Sequence, residues 1–299
     1  FSDPAIIRLP AALRLPLAAL IARRRAATAR AIYAQLGGSS PLLENTLAQA
    51  AALEEALDGE DRCFVAMRYW HPFSTETVRA VAEWDPDELV LLPLYPQFST
   101  TTTASSLADW RRAAAAEGLS LPMATVRSYP DVPGFVAALA DVIGPCLDRK
   151  PSSRLLFSAH GLPLRIVAQG DPYPQEIGRT AEAVVAVLAR PALDWRVCYQ
   201  SRVGPLKWLG PSVEEELHRA ARDQVPVVVA PISFVSEHSE TLVELDRDYR
   251  RIAENFGVPG YERAPTVGTH PKFIAALAAL VCTGEAGIES LPAAVGSRG

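Results

Sequence analysis

The chain has 299 residues, of which 49% are hydrophobic and 21% are charged, so it is long enough to bury a large core in one large or two medium domains. The formal net charge of −5 argues against a nucleic-acid partner, because contact with phosphates requires a basic surface. The four cysteines, Cys63, Cys146, Cys198 and Cys282, are far apart and form no C-x-x-C pair, which argues against a disulfide framework or a zinc ribbon and favours reduced thiols.

The start of the chain carries no recognisable targeting or membrane-spanning segment. No stretch reaches the length of a membrane span, and FSDPAIIRLP has no basic region leading into an apolar one. Residues 6 to 25 combine Leu, Ile and Ala with Arg, a composition that fits core packing or contact with a membrane surface or a hydrophobic ligand.

Short apolar runs alternate with segments of helical periodicity along the chain. The predicted strands are residues 63 to 70, 88 to 95, 121 to 129, 154 to 159, 195 to 200 and 225 to 234. Continuous apolar strands separated by helices indicate an α/β protein with parallel sheets that are buried on both faces.

A polar break, DRKPSSR, follows a predicted helix over residues 132 to 147 and is the best candidate for a domain boundary. We therefore predict an N-terminal α/β domain over residues 1 to 149 and a C-terminal α/β domain over residues 150 to 270. A last helix, residues 271 to 283, is expected to pack back on the first domain.

Ligands of open parallel sheets bind beyond the carboxyl ends of the strands, so the loops after the apolar runs are the informative ones. Five of these loops are rich in polar or aromatic residues: RYWHPF, YPQFSTTTT, HGLP, QSRVGPLKWLGP and SFVSEHSE. At the start of the third loop, Gly161 and Pro163 predict a tight turn that keeps the imidazole of His160 at the crevice between the domains.

Three carboxylates follow the last of these strands at spacings of four residues. On an α-helix, Glu240, Glu244 and Asp248 would lie within roughly 80° of one another. One interpretation is a solvated acidic face that pairs with nearby arginines. The other is a row of carboxylates that starts at the crevice and, together with a neutral imidazole, suits a transient site for Fe(II) or Zn(II).

Several long phrases closely resemble the ferrochelatase family, whose members insert ferrous iron into a porphyrin. The matching phrases are LPLYPQFSTTTTASSL, FSAHGLP with GDPYPQEI, YQSRVGPLKWLGPS and PISFVSEHSETLVELDRDYR. RRRAATARAIYAQLGGSSPL and FVAMRYWHP extend the resemblance over nearly the whole chain. It implies two similar Rossmann-like, flavodoxin-like domains of the chelatase type, whose parallel sheets face a central porphyrin cleft.

The resemblance also implies roles for individual residues. His160 and Glu240 match the two facing catalytic and metal-site residues, and Glu244 and Asp248 match the acidic line behind them, which in the family often lies in a helix with a π-type stretch. The positions that match or flank the porphyrin pocket are Arg24, Arg25, Arg68, Tyr69, Tyr95, Phe98, Ser99, Thr100, Trp208 and Ser236. Arg24 or Arg25 would pair with a propionate.

Two features of the family pattern are missing from this sequence. The family usually opens with a strand that ends in a Gly-Gly-Pro turn, so we expect the natural protein to be longer at its start. Some members carry an iron–sulfur cluster on clustered C-terminal cysteines, whereas the tail here holds only Cys282, so we predict no such cluster.

The resemblance implies a lyase that makes protohaem from protoporphyrin IX and Fe(II), with no organic cofactor. The alternatives are a cobalt or nickel chelatase of another tetrapyrrole and a non-catalytic tetrapyrrole or metal carrier. We predict a cytoplasmic location, and the open alternative is a peripheral contact with the inner membrane or with a preceding haem-pathway enzyme.

Overall fold

Two parallel β-sheets, each covered by helices, organise the chain. The computed structural model describes residues 10–57, 59–202, 204 and 206–283. The described strands are β1 (Leu89–Leu91), β2 (Met123–Thr125), β3 (Arg154–His160), β4 (Trp195–Gln200), β5 (Val227–Pro231) and β6 (Tyr261–Arg263). The described helices are α1 (Ala11–Ala34), α2 (Leu42–Ala56), α3 (Ser74–Trp84), α4 (Thr103–Glu117), α5 (Pro133–Arg149), α6 (Leu164–Val167), α7 (Tyr173–Leu188), α8 (Val213–Asp223), a π-helix (Glu240–Tyr249), α9 (Arg250–Phe256) and α10 (Pro271–Thr283).

The pairings among the six described strands are all parallel, which confirms the predicted α/β class. Strands β1 and β2 form a two-stranded sheet, and the second sheet has the order β4-β3-β5-β6. Because β3 lies inside the second sheet, its carboxyl end opens onto the crevice where parallel α/β folds bind ligands.

The apolar run of β3 is buried on both faces, as continuous hydrophobicity predicts. Leu155 and Phe157 belong to a core that also contains residues of α5 and α7. Leu156, between them, belongs to a second core with residues of α8, α9 and the π-helix. This period of two places helices on both sides of the sheet.

The two halves of the chain share a hydrophobic core. Helix α10 packs against α2 and α5, and α5 packs in turn against α7 and β5. The predicted domain boundary, between residues 149 and 150, separates a first half from a second half of the chain. The core continues across this boundary, so the two halves, which form the two walls of the crevice, are packed against each other.

The N-terminal strands differ from their predictions. Residues 63 to 70 form no strand, because their backbone finds partners outside a ladder: the Cys63 N–H donates to the Glu54 carboxylate, and the Met67 N–H donates to the Pro72 carbonyl. Strands β1 and β2 have three residues each and are shorter than predicted. Strand β6, whose sequence is only Tyr-Glu-Arg, was not predicted.

None of the described helices combines the length and the apolarity that a bilayer crossing requires.

Candidate active site

His160 ends β3 and directs one ring nitrogen into the crevice. Its Nδ1 lies 2.8 Å from the Gly161 carbonyl oxygen, which can only accept, so the neutral ring carries its proton on Nδ1 and leaves Nε2 with a free lone pair. The His160 backbone N–H donates to Ser233 Oγ at 3.2 Å. A Cβ at position 161 would come within 2.7 Å of the Gln200 carbonyl oxygen, so glycine is required beside the histidine.

Glu240 is the first residue of the π-helix and faces His160. Its Oε2 lies 3.6 Å from His160 Nε2, and both side chains are partly exposed, 34% and 44% respectively. Gln200, which is fully buried, donates from Nε2 to the Glu240 carbonyl oxygen and accepts from Ser158 Oγ. These two bonds fix the start of the π-helix against β3 and β4.

Glu244 has its carboxylate occupied by hydrogen bonds from neighbouring protein groups. The Ser201 N–H and hydroxyl donate to it at 2.8 and 2.6 Å, and Gln200 Nε2 and the Tyr249 hydroxyl donate at 3.2 and 3.3 Å. Ser201 also adopts a left-handed φ of 59°, which this carboxylate stabilises by bonding both of its donors. Glu244 therefore shapes the loop after β4.

Asp248 differs from the other two carboxylates in its surroundings. Its side chain is 54% exposed, and it lies 3.8 Å from the guanidinium of Arg251. For Asp248 the structure agrees with the first interpretation of the sequence, a solvated acidic face that pairs with nearby arginines.

One cavity of about 1840 Å³ joins residues from both halves of the chain. The predicted site residues that line it are His160, Glu240, Arg68, Tyr69, Tyr95, Ser99, Trp208 and Ser236. Most of the remaining lining is apolar or aromatic, including Leu42, Leu53, Trp70 and Phe234. The cavity can therefore hold a large, flat, mainly apolar ligand against the imidazole.

Arg68 and Tyr95 form part of a polar cluster on the first-half wall. The guanidinium of Arg68 lies 3.4 Å from Asp109 and donates to Ser105 Oγ, and it also lies over the ring of Tyr69 at 5.0 Å. Burial raises the pKa of the Tyr95 hydroxyl, so this group stays protonated at neutral pH.

The loop after β1 is tied to the second half through Asp171, which is buried. One carboxylate oxygen of Asp171 accepts from Ser99 Oγ, from Thr100 Oγ1 and from the Thr100 N–H. Phe98 lies under the Arg127 guanidinium at 3.9 Å, and neither Phe98 nor Thr100 lines the cavity. Of the three predicted pocket residues in this loop, Ser99 lines the cavity, whereas Phe98 and Thr100 do not.

The remaining predicted contacts are on other elements. Arg24 lies exposed on α1 and does not line the cavity, and the side chain of Arg25 lies outside the described parts of the chain. Ser236 is buried and donates its hydroxyl to Gln49 Oε1 at 2.7 Å.

Sequence reasoning missed the polar residues that orient the site, chiefly Gln49, Asp171, Gln200 and Ser201. Asp171, Gln200 and Ser201 stand inside the phrases GDPYPQEI and YQSRVGPLKWLGPS, which carry the family resemblance, so the phrases themselves were an available signal. Gln49 lies in an Ala-rich helix, and nothing in its sequence neighbourhood marks it.

Among the described residues, no group of three or more His, Cys, Asp or Glu side chains could hold a metal ion. The cysteines are dispersed: Cys146 and Cys198 are buried, Cys63 is half-buried and Cys282 is exposed. Burial, together with the carboxylates of Glu54 and Asp61, raises the pKa of Cys63 to about 11, which keeps this thiol protonated at neutral pH.

Solved structures of chelatases share this fold. The sirohydrochlorin chelatase SirB from Bacillus subtilis subspecies spizizenii, in complex with cobalt, superposes with a TM-score of 0.55 at 14% identity, over 81% of this chain and 92% of its own. The protein DR2241 from Deinococcus radiodurans, described as similar to chelatases, superposes with a TM-score of 0.52 at 17% identity, over 83% of this chain and 53% of its own. At these identities the likeness concerns the fold alone.

Sequence comparison gives a closer match. The chain is 54% identical over 286 residues to the ferrochelatase of Phenylobacterium zucineum and 51% identical over 289 residues to that of Caulobacter vibrioides, which covers 93% and 94% of this chain and 82% of each relative. It is 49% identical over 287 residues to the ferrochelatase of a Wolbachia from Drosophila simulans, which covers 94% of this chain and 90% of that relative. The ferrochelatase family model matches residues 1–285, and the chain belongs to the ferrochelatase family.

Proposed function

We propose that this chain inserts Fe(II) into protoporphyrin IX to form protohaem and two protons, as the last step of haem synthesis. The observation that carries the proposal is the 3.6 Å approach of His160 Nε2 to Glu240 Oε2 at the edge of one large, mainly apolar cavity. Iron is a substrate in this reaction, and the chemistry needs no organic cofactor.

His160 is the proposed base. A porphyrin must lose two N–H protons as the metal enters, and the lone pair on Nε2 can accept one of them because Nδ1 is held by the Gly161 carbonyl. The resulting imidazolium would face the Glu240 carboxylate, whose negative charge balances it.

Glu240 is the proposed metal-site partner. Its carboxylate is partly exposed to the cavity, and it has an imidazole on one side and Ser201 Oγ at 3.5 Å on the other. Imidazole and carboxylate donors together suit Fe(II), and an open site of this kind can release the ion to the porphyrin. Glu244 supports the site through Ser201 rather than by binding the ion itself.

The cavity walls are proposed to bend the porphyrin. Tyr69 and Trp208 bring aromatic surface from the two halves of the chain, and Arg68 brings a cation for a propionate. Apolar contacts to the ring can support the roughly 1–5 kcal/mol that macrocycle distortion typically requires. The scarcity of cationic lining residues favours a porphyrin with few carboxylates over a heavily carboxylated tetrapyrrole.

Metallation by the purified chain tests the function. Protoporphyrin IX is mixed anaerobically with Fe(II), or with Zn(II), and the absorbance change on metallation is followed. We expect a rate well above the protein-free rate. A rate equal to that control would leave a carrier as the better interpretation, and activity only with cobalt or nickel and a polycarboxylated tetrapyrrole would favour the alternative chelatase.

We further propose a cytoplasmic enzyme that contacts an anionic membrane surface through α1. Leu13, Leu15, Leu17 and Leu20 are all exposed on α1, and the exposed Arg23 and Arg24 follow them on the same helix. The sequence of α1 contains no acidic residue, which contrasts with the net charge of −5 of the whole chain. Exposed leucines beside arginines are typical of helices that lie on anionic lipid.

A further inference from the structure

Two glutamines from the first half of the chain are almost completely buried against the second half. Gln49, on α2, and Gln97, in the loop after β1, are each only 2% exposed. Burying an amide costs free energy unless its hydrogen bonds are made, so the partners of these two side chains show what they hold in place.

Gln49 makes three hydrogen bonds to the second half. Its Nε2 donates to the carbonyl oxygens of Val235 and Gly268, both at 2.9 Å, and its Oε1 accepts from Ser236 Oγ at 2.7 Å. Asn45, one turn earlier on α2, donates to the Glu237 carbonyl oxygen at 2.9 Å. Helix α2 thus holds three consecutive residues that lie shortly before the π-helix.

Gln97 holds the other end of the same segment. Its Nε2 donates to the Ile232 carbonyl oxygen at 3.1 Å and to Thr180 Oγ1 at 2.9 Å. Residues 232 to 236, which connect β5 to the approach of the π-helix, are therefore held by one buried amide at each end.

This segment contacts His160 and leads along the chain to Glu240. Ser233 Oγ accepts the His160 backbone N–H, and the ring of Phe234 lies 6.4 Å from the His160 ring and 4.8 Å from the His238 ring. Four residues beyond Ser236 the chain reaches Glu240. A shift of the segment would move the histidine and the carboxylate relative to each other.

We infer that Gln49 and Gln97, which belong to the first half, are positioning residues that set the separation of His160 and Glu240, which both belong to the second half. This inference rests on the proposed function. Both residues also line the cavity, but their amides are hydrogen-bonded to protein groups, so each acts on the site through the segment from Ile232 to Ser236. A displacement of about 1 Å can cost about 10²-fold in rate, so small movements at this distance from the chemistry matter.

The test uses Gln49→Met and Gln97→Met in the full chain, since methionine preserves the side-chain length and removes the hydrogen bonds. Zinc insertion into protoporphyrin IX is measured as a rate per porphyrin-binding site. Gln49→Glu is an additional variant, which keeps the shape of the side chain but replaces the donating Nε2 by an oxygen. We expect kcat to fall by about 10–100-fold, while KM for porphyrin stays within about threefold. Because both residues hold one segment, the double variant should lose less than the product of the two single losses.

The matched control is Gln224→Met. Gln224 also donates its amide to two backbone carbonyls, those of Ala221 and Gly257, but it lies on the surface away from the cavity. We expect its kcat to remain at the wild-type value.

Wild-type kcat in both Gln49→Met and Gln97→Met would overturn the inference, as would a loss that appears only as a smaller fraction of folded protein. An inactive wild-type chain would instead reject the proposed function, so the two failures are distinguishable.

Discussion

His160 gains its proposed role from the different surroundings of its two ring nitrogens. Nδ1 is held by a backbone carbonyl oxygen of the neighbouring residue, whereas Nε2 faces Glu240 and the cavity. The sequence predicts the strand end and the tight turn, but the tautomer follows from a contact that only the folded backbone makes.

Replacement of His160 by alanine tests the base. We expect metallation of protoporphyrin IX by His160→Ala to fall by about 10²-fold or more, because the proton acceptor is lost. Porphyrin binding, followed by quenching of tryptophan fluorescence, should persist because the apolar walls remain. Full retained activity would reject the assigned role.

The carboxylates near the π-helix should differ in importance according to their surroundings. We expect Glu240→Gln to lose about 10²-fold in metallation rate, because the charge that faces Nε2 is removed. Asp248→Asn should remain close to wild type, since Asp248 is exposed beside Arg251. Steady-state rates at saturating metal compare the two variants with the wild type, and wild-type activity in both would remove these carboxylates from the mechanism.

At the scale of elements, the π-helix is stabilised on the side away from the cavity by a buried ionic network. Arg263 on β6 donates to Glu237 and to Asp246, both at 2.8 Å, and its side chain is only 8% exposed. Burial pushes the pKa of Glu237 upward, but the Arg263 guanidinium and the Thr266 N–H more than offset this effect, so the pKa lies below its ordinary value of 4.5.

This network predicts an acid-dependent contribution to stability. A carboxyl whose pKa is lowered by folding stabilises the folded state above its unfolded pKa, and that contribution is lost as pH falls through the folded pKa. We expect Glu237→Gln to lower the free energy of unfolding by about 1.5–3 kcal/mol at neutral pH. The difference from wild type should shrink once the pH falls below the ordinary pKa of the carboxyl.

Denaturant unfolding at neutral and acid pH measures this difference. Glu117→Gln is the matched control, because Glu117 pairs with Arg79 on the surface, where ion pairs contribute little. A constant difference between wild type and Glu237→Gln across the whole pH range would contradict the assignment.

At the scale of the whole molecule, the distribution of charge predicts where the chain meets a membrane. The exposed leucines of α1 lie among arginines, while the chain as a whole is acidic. We expect co-sedimentation with vesicles that contain anionic lipid and weaker binding at high salt, because salt screens the attraction of arginines to the lipid surface.

Substitution of the leucines tests which surface makes the contact. The double variant Leu13→Gln with Leu20→Gln should lose most of the vesicle binding, whereas Val187→Gln, at an equally exposed apolar position on α7, should not. Equal binding by both variants would place the membrane contact elsewhere.

The sequence by itself determined the α/β class, the long strands of the second sheet and the strand-end position of His160. These features follow from local periodicity, because β3 and β5 are buried on both faces and their apolar runs are therefore continuous. Residues 63 to 70 have a similar composition but form no strand, since a strand also requires a ladder partner.

Only the tertiary structure decided which polar residues act together. The regular spacing placed Glu240, Glu244 and Asp248 on one face of an α-helix, yet Glu240 faces His160, Glu244 accepts hydrogen bonds from Ser201, and Asp248 is exposed. The hydrogen bond from Gln49 to Val235 joins residues 186 positions apart. Such contacts depend on how distant elements pack, and local periodicity carries no information about them.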